Sequence, residues 1–135
     1  MNEQQQAIKQ GINVQTQKLI LVVDDDYHLR KMVQWTLEEE GFEVQTAGDG
    51  REAVERALLQ QPALILLDMG LPLLDGSGVV AQVRTRYGKM VPIIIMSADG
   101  HVEEKSRQVE AVAYVRKPFD IDDLIHAVQH AFDIQ

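Results

Sequence analysis

Apolar residues in this chain occur either in short unbroken runs or in longer stretches with helical spacing. The short runs without polar alternation are too short for globular helices and fit strands that are buried on both faces. One further run, at 42–47, alternates enough to be an outer strand. The strands are expected over 18–23, 42–47, 63–67, 91–96 and 111–115.

Amphipathic stretches with apolar residues three and four positions apart follow these runs. Asp26 and Asp49 stand where the first two helices begin and are expected to be their N-caps. The second helix should bury Val54, Ala57 and Leu58, whereas the fourth has few apolar residues and should be the least stable. The helices are expected over 27–40, 51–60, 77–87 and 101–109, with a fifth from about residue 120.

Strands that alternate with helices in this way indicate βαβ units and a parallel sheet with helices on both faces. The predicted fold class is therefore α/β, a doubly wound five-stranded parallel sheet with five helices. With 135 residues, of which 45% are hydrophobic, the chain has the size of one domain. Residues 1–17 are mostly polar and are expected to be a flexible tail before a domain at 18–135.

Composition excludes several kinds of site and partner. The chain contains no cysteine, so disulfides and thiolate metal sites are ruled out. A net charge of −8 opposes sequence-independent binding to nucleic acid or to an anionic membrane face. Because no apolar run approaches the roughly 18 residues of a membrane span, we expect a soluble, cytoplasmic protein without membrane or direct nucleic-acid partners.

Polar side chains follow four of the five predicted strands. Asp24 and Asp25 follow the first strand, Asp68 the third, Ser97 the fourth and Lys117 the fifth. Because the carboxyl ends of parallel strands lie along one edge of the sheet, these side chains can converge. Two carboxylates about 5 Å apart repel by roughly 3 kcal/mol at an effective dielectric constant near 20, so the site should bind a divalent cation. Oxygen ligands without His or Cys favour Mg²⁺.

An aspartate beside Mg²⁺, a hydroxyl and an ammonium group is equipped to carry a phosphoryl group. Asp68 would be the acceptor, Lys117 and the cation would spread the charge of the phosphoryl group in transit, and Ser97 would then donate to one of its oxygens. Each residue also has an ordinary explanation. Asp68 and Ser97 could be turn residues, Lys117 a surface lysine, and the acidic triplet at 24–26 a solvated helix start.

Four sequence blocks relate this site to a known family. They read VVDDD at 22–26, LLDMGLPLLDG at 66–76, IIMSA at 94–98 and YVRKPF at 114–119. With these blocks in this order, the chain from about residue 18 resembles a response-regulator receiver domain of two-component signalling, such as the chemotaxis regulators. The resemblance implies a flavodoxin-like sheet with strand order 2-1-3-4-5.

The resemblance also implies the roles of the acidic residues. Asp68 matches the phosphoacceptor, which also contacts the metal. Asp24 and Asp25 match the acidic pair of the Mg²⁺ site, with Asp25 as the direct ligand. The backbone carbonyl of Gly70 would be a further ligand.

Other residues match the family positions that respond to phosphorylation or set the lifetime of the phosphoryl group. Ser97 and Tyr114 match the switch pair, and Lys117 matches the lysine that contacts the phosphate, with a cis peptide bond to Pro118. Gly70 and Asp99 occupy the variable positions that tune phosphoryl lifetime. A glycine usually ends the fourth helix, but Glu110 stands there and the segment looks about two residues short, so we expect an irregular exit from that helix.

The implied partners are a phosphodonor and an output protein. The donor would be a histidine kinase or a histidine phosphotransfer protein, docking near Tyr27, Trp35 and the loop at 117–119. Phosphorylation would shift the fourth helix, fifth strand and fifth helix to regulate a partner that the sequence does not identify, and homodimerisation on phosphorylation stays open. Trp35 could instead lie on the surface of its own helix, and Tyr114 could be an ordinary packing residue of a short edge strand. We expect a stand-alone receiver, since no output domain follows Gln135, and no enzyme beyond its own phosphorylation and dephosphorylation.

Two other functional classes stay open. A haloacid-dehalogenase-type phosphatase also has an Asp-x-Asp after an apolar strand, which Asp24 and Asp26 supply, although that family has Thr or Val where His28 stands. A degenerate receiver that serves only as a binding module would lack the phosphoacceptor, the lysine or the acidic pair. None of these is missing from the sequence.

Overall fold

Five strands and five helices alternate along the chain in a computed structural model that describes residues 18–133. The strands are β1 (Leu19–Val23), β2 (Glu43–Ala47), β3 (Leu64–Asp68), β4 (Ile93–Ser97) and β5 (Ala113–Arg116). The helices are α1 (Tyr27–Glu39), α2 (Gly50–Leu59), α3 (Gly76–Tyr87), α4 (Val102–Gln108) and α5 (Ile121–Asp133). The tail predicted at 1–17 lies outside the described residues.

The strands form one parallel sheet in the order β2-β1-β3-β4-β5. This arrangement confirms the predicted fold class and strand order. Since all strands run the same way, their carboxyl ends lie along a single edge of the sheet. Between residues 18 and 133, no helix is both long enough and apolar enough to cross a membrane.

Side chains that alternate along the central strand enter two separate apolar layers. Ile65 and Leu67 of β3 pack in the layer of α2, α3 and α4, whereas Leu64 and Leu66 pack in the layer of α1 and α5. Burial on both faces explains why this strand reads as an unbroken apolar run. Leu58 of α2 was expected to be buried but is 43% exposed, because consecutive helical residues point about 100° apart and it turns away from the layer that holds its neighbour Ala57.

The ends of several elements differ from the predicted ones by one or two residues. Asp68 and Ser97 are the last residues of β3 and β4, whereas the apolar runs place them after the strands. The backbone ladder continues past the apolar run because its hydrogen bonds do not depend on side-chain polarity. Likewise, α3 begins at Gly76, after an N-cap at Asp75 whose carboxylate accepts the N–H of Gly78 at 2.9 Å.

Helix α4 is short and leaves through a strained residue. It has seven residues, and the chain exits through Glu110 with φ of +54°. The irregular exit expected from a non-glycine residue at this position is therefore present. Arg84 of α3 donates hydrogen bonds to the carbonyls of Val109 and Glu110, and Lys89 forms an ion pair with the Glu110 carboxylate. These charged contacts, made by residues outside α4, stabilise the backbone where the chain leaves the helix.

Candidate functional site

Three buried polar residues and one lysine meet at the carboxyl edge of the sheet. Asp24 is completely buried, and Asp68 and Ser97 are 8% and 5% exposed. Asp24 follows β1, Asp68 and Ser97 end β3 and β4, and Lys117 follows β5. Burying polar groups costs free energy unless they are paired, so their partners define the chemistry of the site.

The ammonium group of Lys117 connects two of the carboxylates. Its Nζ lies 2.6 Å from Asp24 Oδ2 and 3.5 Å from Asp68 Oδ2. Two strands, β3 and β4, separate β1 from β5, and the long lysine side chain spans that distance. Burial by itself lowers the pKa of Lys117, but the hydrogen bond to Asp24 and the charges of both aspartates outweigh burial and raise the pKa. The ammonium group therefore stays charged at neutral pH.

Donors of the chain itself hold both carboxylate oxygens of Asp24. Its Oδ1 accepts the N–H of Asp26 at 2.9 Å, and its Oδ2 accepts Lys117. Arg30 fixes the backbone at the same point by donating to the carbonyl oxygen of Asp24 at 2.7 Å. Burial raises the pKa of Asp24, and the hydrogen bonds from Lys117 and Asp26 oppose that rise. Asp24 is thus fixed in place, whereas its neighbour Asp25 is exposed.

Asp24, Asp25 and Asp68 form an acidic cluster that could bind a metal ion. One carboxylate oxygen of each residue lies within 4.8 Å of the other two. Neighbouring oxygen ligands of an octahedral Mg²⁺ are about 3 Å apart, so the three carboxylates would have to move closer together to share one ion. All the donors are hard oxygen atoms, which fits the chemistry of Mg²⁺.

The hydroxyl of Ser97 is oriented by the loop that follows it. Its Oγ accepts the N–H of Asp99 at 3.1 Å, so its own proton remains available to an acceptor in the site. The carboxylate of Asp99 in turn accepts the N–H of His101 at 2.8 Å and the ammonium group of Lys105 at 2.8 Å. No motif marks Lys105 in the sequence, and this contact was not predicted.

A comparison with protein families identifies the domain that carries these residues. A model of the response regulator receiver domain matches residues 20–129 of the chain. The chain belongs to this receiver domain family. The match reaches all five strands of the sheet and includes all the residues at its carboxyl edge.

Two curated proteins illustrate the similarity. The transcriptional regulatory protein PdtaR of Mycobacterium tuberculosis is 36% identical over 115 residues, which are 83% of this chain and 55% of that protein. This receiver domain thus spans about half the length of that relative. The sporulation initiation phosphotransferase F of Bacillus subtilis is 32% identical over 112 residues, which are 82% of this chain and 90% of that protein.

A solved structure supports the same fold. The response regulator protein TrrA of Thermotoga maritima, in complex with Mg²⁺–BeF, is 33% identical and superimposes with a TM-score of 0.75. The superposition covers 84% of this chain and 97% of that chain.

Of two further residues that the family resemblance singled out, Gly70 lies at the acidic edge of the receiver and Tyr114 lies away from it. Gly70 donates its N–H to Asp68 Oδ1 at 3.0 Å, and a Cβ atom added to Gly70 would lie 3.8 Å from that oxygen. The absence of a side chain therefore leaves one side of the carboxylate open. Tyr114 lies away from this edge, within β5 opposite Ile95, and is 39% exposed. The peptide bond between Lys117 and Pro118 is cis, as the resemblance implied.

A shallow groove of the receiver lies beside the site. It encloses about 430 Å³, and its lining residues are Asp26, Leu29, Met32, Ala98, Lys117, Pro118 and Phe119. Trp35 and Tyr27 project from the same helix α1 and are 67% and 56% exposed. The region predicted as a docking surface therefore presents apolar and aromatic groups to solvent, next to Lys117.

Proposed function

We propose that this receiver domain accepts a phosphoryl group on Asp68 from a phosphohistidine and uses it to switch a partner. The observation that carries the proposal is the environment of Asp68. Its Oδ2 lies 3.5 Å from Lys117 Nζ, and a buried serine, Ser97, ends the adjacent strand. Its Oδ1 accepts the N–H of Gly70 at 3.0 Å, so a hydrogen-bond donor lies near each oxygen of the carboxylate.

The transfer exchanges one bond for another at phosphorus. An Asp68 oxygen bonds to phosphorus while the bond from phosphorus to the donor imidazole nitrogen breaks, and that nitrogen keeps the electron pair and takes up a proton. Lys117 places a positive charge beside the oxygens of the moving group, where negative charge is greatest. Ser97 then donates its hydroxyl proton to one phosphoryl oxygen. In hydrolysis, water attacks phosphorus and Asp68 leaves as a carboxylate.

The acidic cluster is proposed to hold Mg²⁺. Asp25, Asp68 and the carbonyl of Gly70 would contact the ion, and Asp24 would complete the negative site. When bound, Mg²⁺ supplies positive charge that neutralises both the cluster and the phosphoryl oxygens. The fit of three carboxylate oxygens within 4.8 Å supports this choice, as does the Mg²⁺–BeF complex of the similar TrrA.

Phosphorylation is proposed to act on the face formed by α4, β5 and α5. Ser97 and Tyr114 would be the switch pair, because Ser97 ends β4 and Tyr114 lies on the adjacent strand β5. Gly70 and Asp99 would tune the phosphoryl lifetime, since Gly70 leaves Asp68 open and Asp99 orients Ser97. Beyond its own phosphorylation and dephosphorylation, the domain is proposed to have no enzymatic activity.

The phosphodonor is proposed to be a histidine kinase or a histidine phosphotransfer protein. The groove beside Lys117 and the exposed aromatic rings of Trp35 and Tyr27 would form its docking surface. Large aromatic side chains are favoured anchors in protein interfaces, which supports this location.

Intact-mass measurement tests the phosphoacceptor. The protein is incubated with Mg²⁺ and acetyl phosphate, and we expect an adduct of one phosphoryl group. The adduct should be absent from Asp68→Asn and retained by Asp122→Asn, a matched change at an exposed aspartate of α5. Chelation of Mg²⁺ should prevent its formation.

The same experiment separates the rival functions. Sustained release of phosphate that persists in Asp68→Asn and is lost in Asp24→Asn would indicate a haloacid-dehalogenase-type phosphatase. If no adduct forms with acetyl phosphate or with a phosphorylated histidine donor, the result would indicate a receiver that acts only as a binding module. Either result would refute the proposal.

A further inference from the structure

Asp99 connects the switch hydroxyl to the start of α4. Its N–H donates to Ser97 Oγ at 3.1 Å, and its carbonyl oxygen accepts the N–H of Val102 at 3.2 Å. Its carboxylate accepts the N–H of His101 and the ammonium group of Lys105, both at 2.8 Å. The N–H of Asp99 thus contacts the end of β4, whereas its carbonyl oxygen and both carboxylate oxygens contact the start of α4.

Helix α4 is short, and Val102 is the one buried residue of its first turn. It has seven residues and buries Val102 and Ser106, and its N-cap His101 makes no side-chain capping hydrogen bond. Helices α1, α2 and α3 instead begin with an aspartate side chain that accepts backbone N–H groups. The ion pair between Lys105 and Asp99 therefore supplies part of the restraint that α4 lacks at its start.

The ion pair is well formed although it is half-exposed. The side chains of Lys105 and Asp99 are 36% and 39% exposed. The hydrogen bond from Lys105, assisted by the N–H of His101, holds the pKa of Asp99 below its usual range. Exposed pairs add little to global stability, so the effect of this pair depends on what it connects.

We propose that Lys105 is a positioning residue for the phosphorylation switch, coupling the Ser97 hydroxyl to α4 through Asp99. This inference rests on the proposed function. When Ser97 turns its hydroxyl toward a phosphoryl oxygen, the N–H of Asp99 loses alignment with its acceptor and Asp99 shifts. Because Lys105 holds the Asp99 carboxylate, the shift is passed to α4. By thermodynamic linkage, a change that makes α4 less stable also changes the free energy needed to break the hydrogen bond between Asp99 and Ser97.

Hydrogen exchange of the α4 amides tests this coupling. Four full-length proteins are compared with and without acetyl phosphate and Mg²⁺: wild type, Lys105→Gln, Lys105→Arg and Arg107→Gln. Arg107 pairs with Glu103 at 3.1 Å on the same helix and so controls for the loss of an exposed α4 ion pair. Intact mass confirms the adduct in each sample.

Lys105→Gln should speed exchange of the amides at 102 and 105, which donate to the carbonyls of Asp99 and His101, about two- to five-fold, the upper part of the range for an exposed ion pair. Its change in exchange on phosphorylation should be smaller than that of wild type, and Lys105→Arg should restore it. Arg107→Gln should keep the wild-type change. The inference is overturned if Lys105→Gln responds to phosphorylation as wild type does, or if Arg107→Gln loses the response equally.

A double-mutant cycle on the unphosphorylated protein tests the link without relying on phosphorylation. Ser97→Ala and Lys105→Gln should have non-additive effects on α4 exchange, because both act on Asp99. Ser97→Ala and Arg107→Gln should be additive. Additivity in the first cycle overturns the role of Lys105, whereas an absent phosphoryl adduct on the wild type overturns the proposed function instead.

Discussion

Asp24 and Asp25 are adjacent in sequence, yet without Mg²⁺ their replacement by alanine should change stability in opposite directions. Asp25 is exposed and places a carboxylate oxygen within 4.8 Å of oxygens of Asp24 and Asp68. Removing it relieves repulsion. Asp24 is buried and binds Lys117 at 2.6 Å, so removing it leaves the ammonium group without its nearest partner.

The size of the effect follows from the distances. At 4.8 Å, two unit charges repel by about 3.5 kcal/mol at an effective dielectric constant near 20 and by about 0.9 kcal/mol at that of water. Because Asp25 is exposed, the lower value applies, and screening by water and salt leaves about 1 kcal/mol for its two repulsions together. Asp25→Ala should therefore raise Tm by roughly 3–5 °C in a domain of this size. Asp24→Ala should lower the free energy of unfolding by about 1–3 kcal/mol, the cost of an unpaired buried group.

Thermal unfolding followed by circular dichroism, in EDTA at low salt, measures both effects. Asp25→Asn keeps the shape and removes the charge, so it should behave like Asp25→Ala. Mg²⁺ should raise Tm of the wild type more than that of either Asp25 variant, and high salt should reduce the gain in Tm measured in EDTA. If Asp25→Ala in EDTA is less stable than the wild type, the idea of a crowded acidic site is wrong.

Three further predictions concern the surroundings of the site. Leu73 has φ of +69° and is 73% exposed, so Leu73→Gly should raise the free energy of unfolding in urea by about 1 kcal/mol, and a decrease would contradict the strain. Arg84→Met should lower the free energy of unfolding by about 0.5–1.5 kcal/mol and speed exchange at 109–111, because the partly buried carbonyl of Val109 loses its donor whereas the exposed carbonyl of Glu110 can bond to water; unchanged exchange would count against this. Since Lys105 holds the pKa of Asp99 below its ordinary value of 3.8, the contribution of the pair is present above that pH and is lost as pH falls through the lowered pKa. The Tm values of wild type and Lys105→Gln should therefore converge in acid, and a difference that persists there would exclude the pair as its source.

The sequence was most informative where polar residues interrupt apolar runs. Asp68 and Ser97 could be located at strand ends because the runs before them are buried on both faces, and burial leaves a clear pattern. Parallel topology then brought Lys117 to the same edge without any knowledge of distances. The cation site could be inferred for the same reason, since carboxylates gathered at one edge repel one another.

Contacts made by exposed side chains could not be predicted in the same way. The pairing of Lys105 with Asp99 depends on the path of a loop and on one rotamer, and neither leaves a periodic pattern. Whether Leu58 is buried depends on a rotation of α2 about its own axis by less than the roughly 100° between consecutive residues. The positive φ of Leu73 is imposed by the turn after β3, although the sequence there contains glycines that would adopt it more easily.

The contact between Lys117 and Asp24 joins residues 93 positions apart. Because translation adds residues in order, all three aspartates of the acidic cluster are in the chain long before this lysine is added. During synthesis the growing chain therefore carries the negative charges without the ammonium group that balances them. If Asp68 accepts a phosphoryl group as proposed, a complete site would form only after the last strand and the loop that follows it have been added.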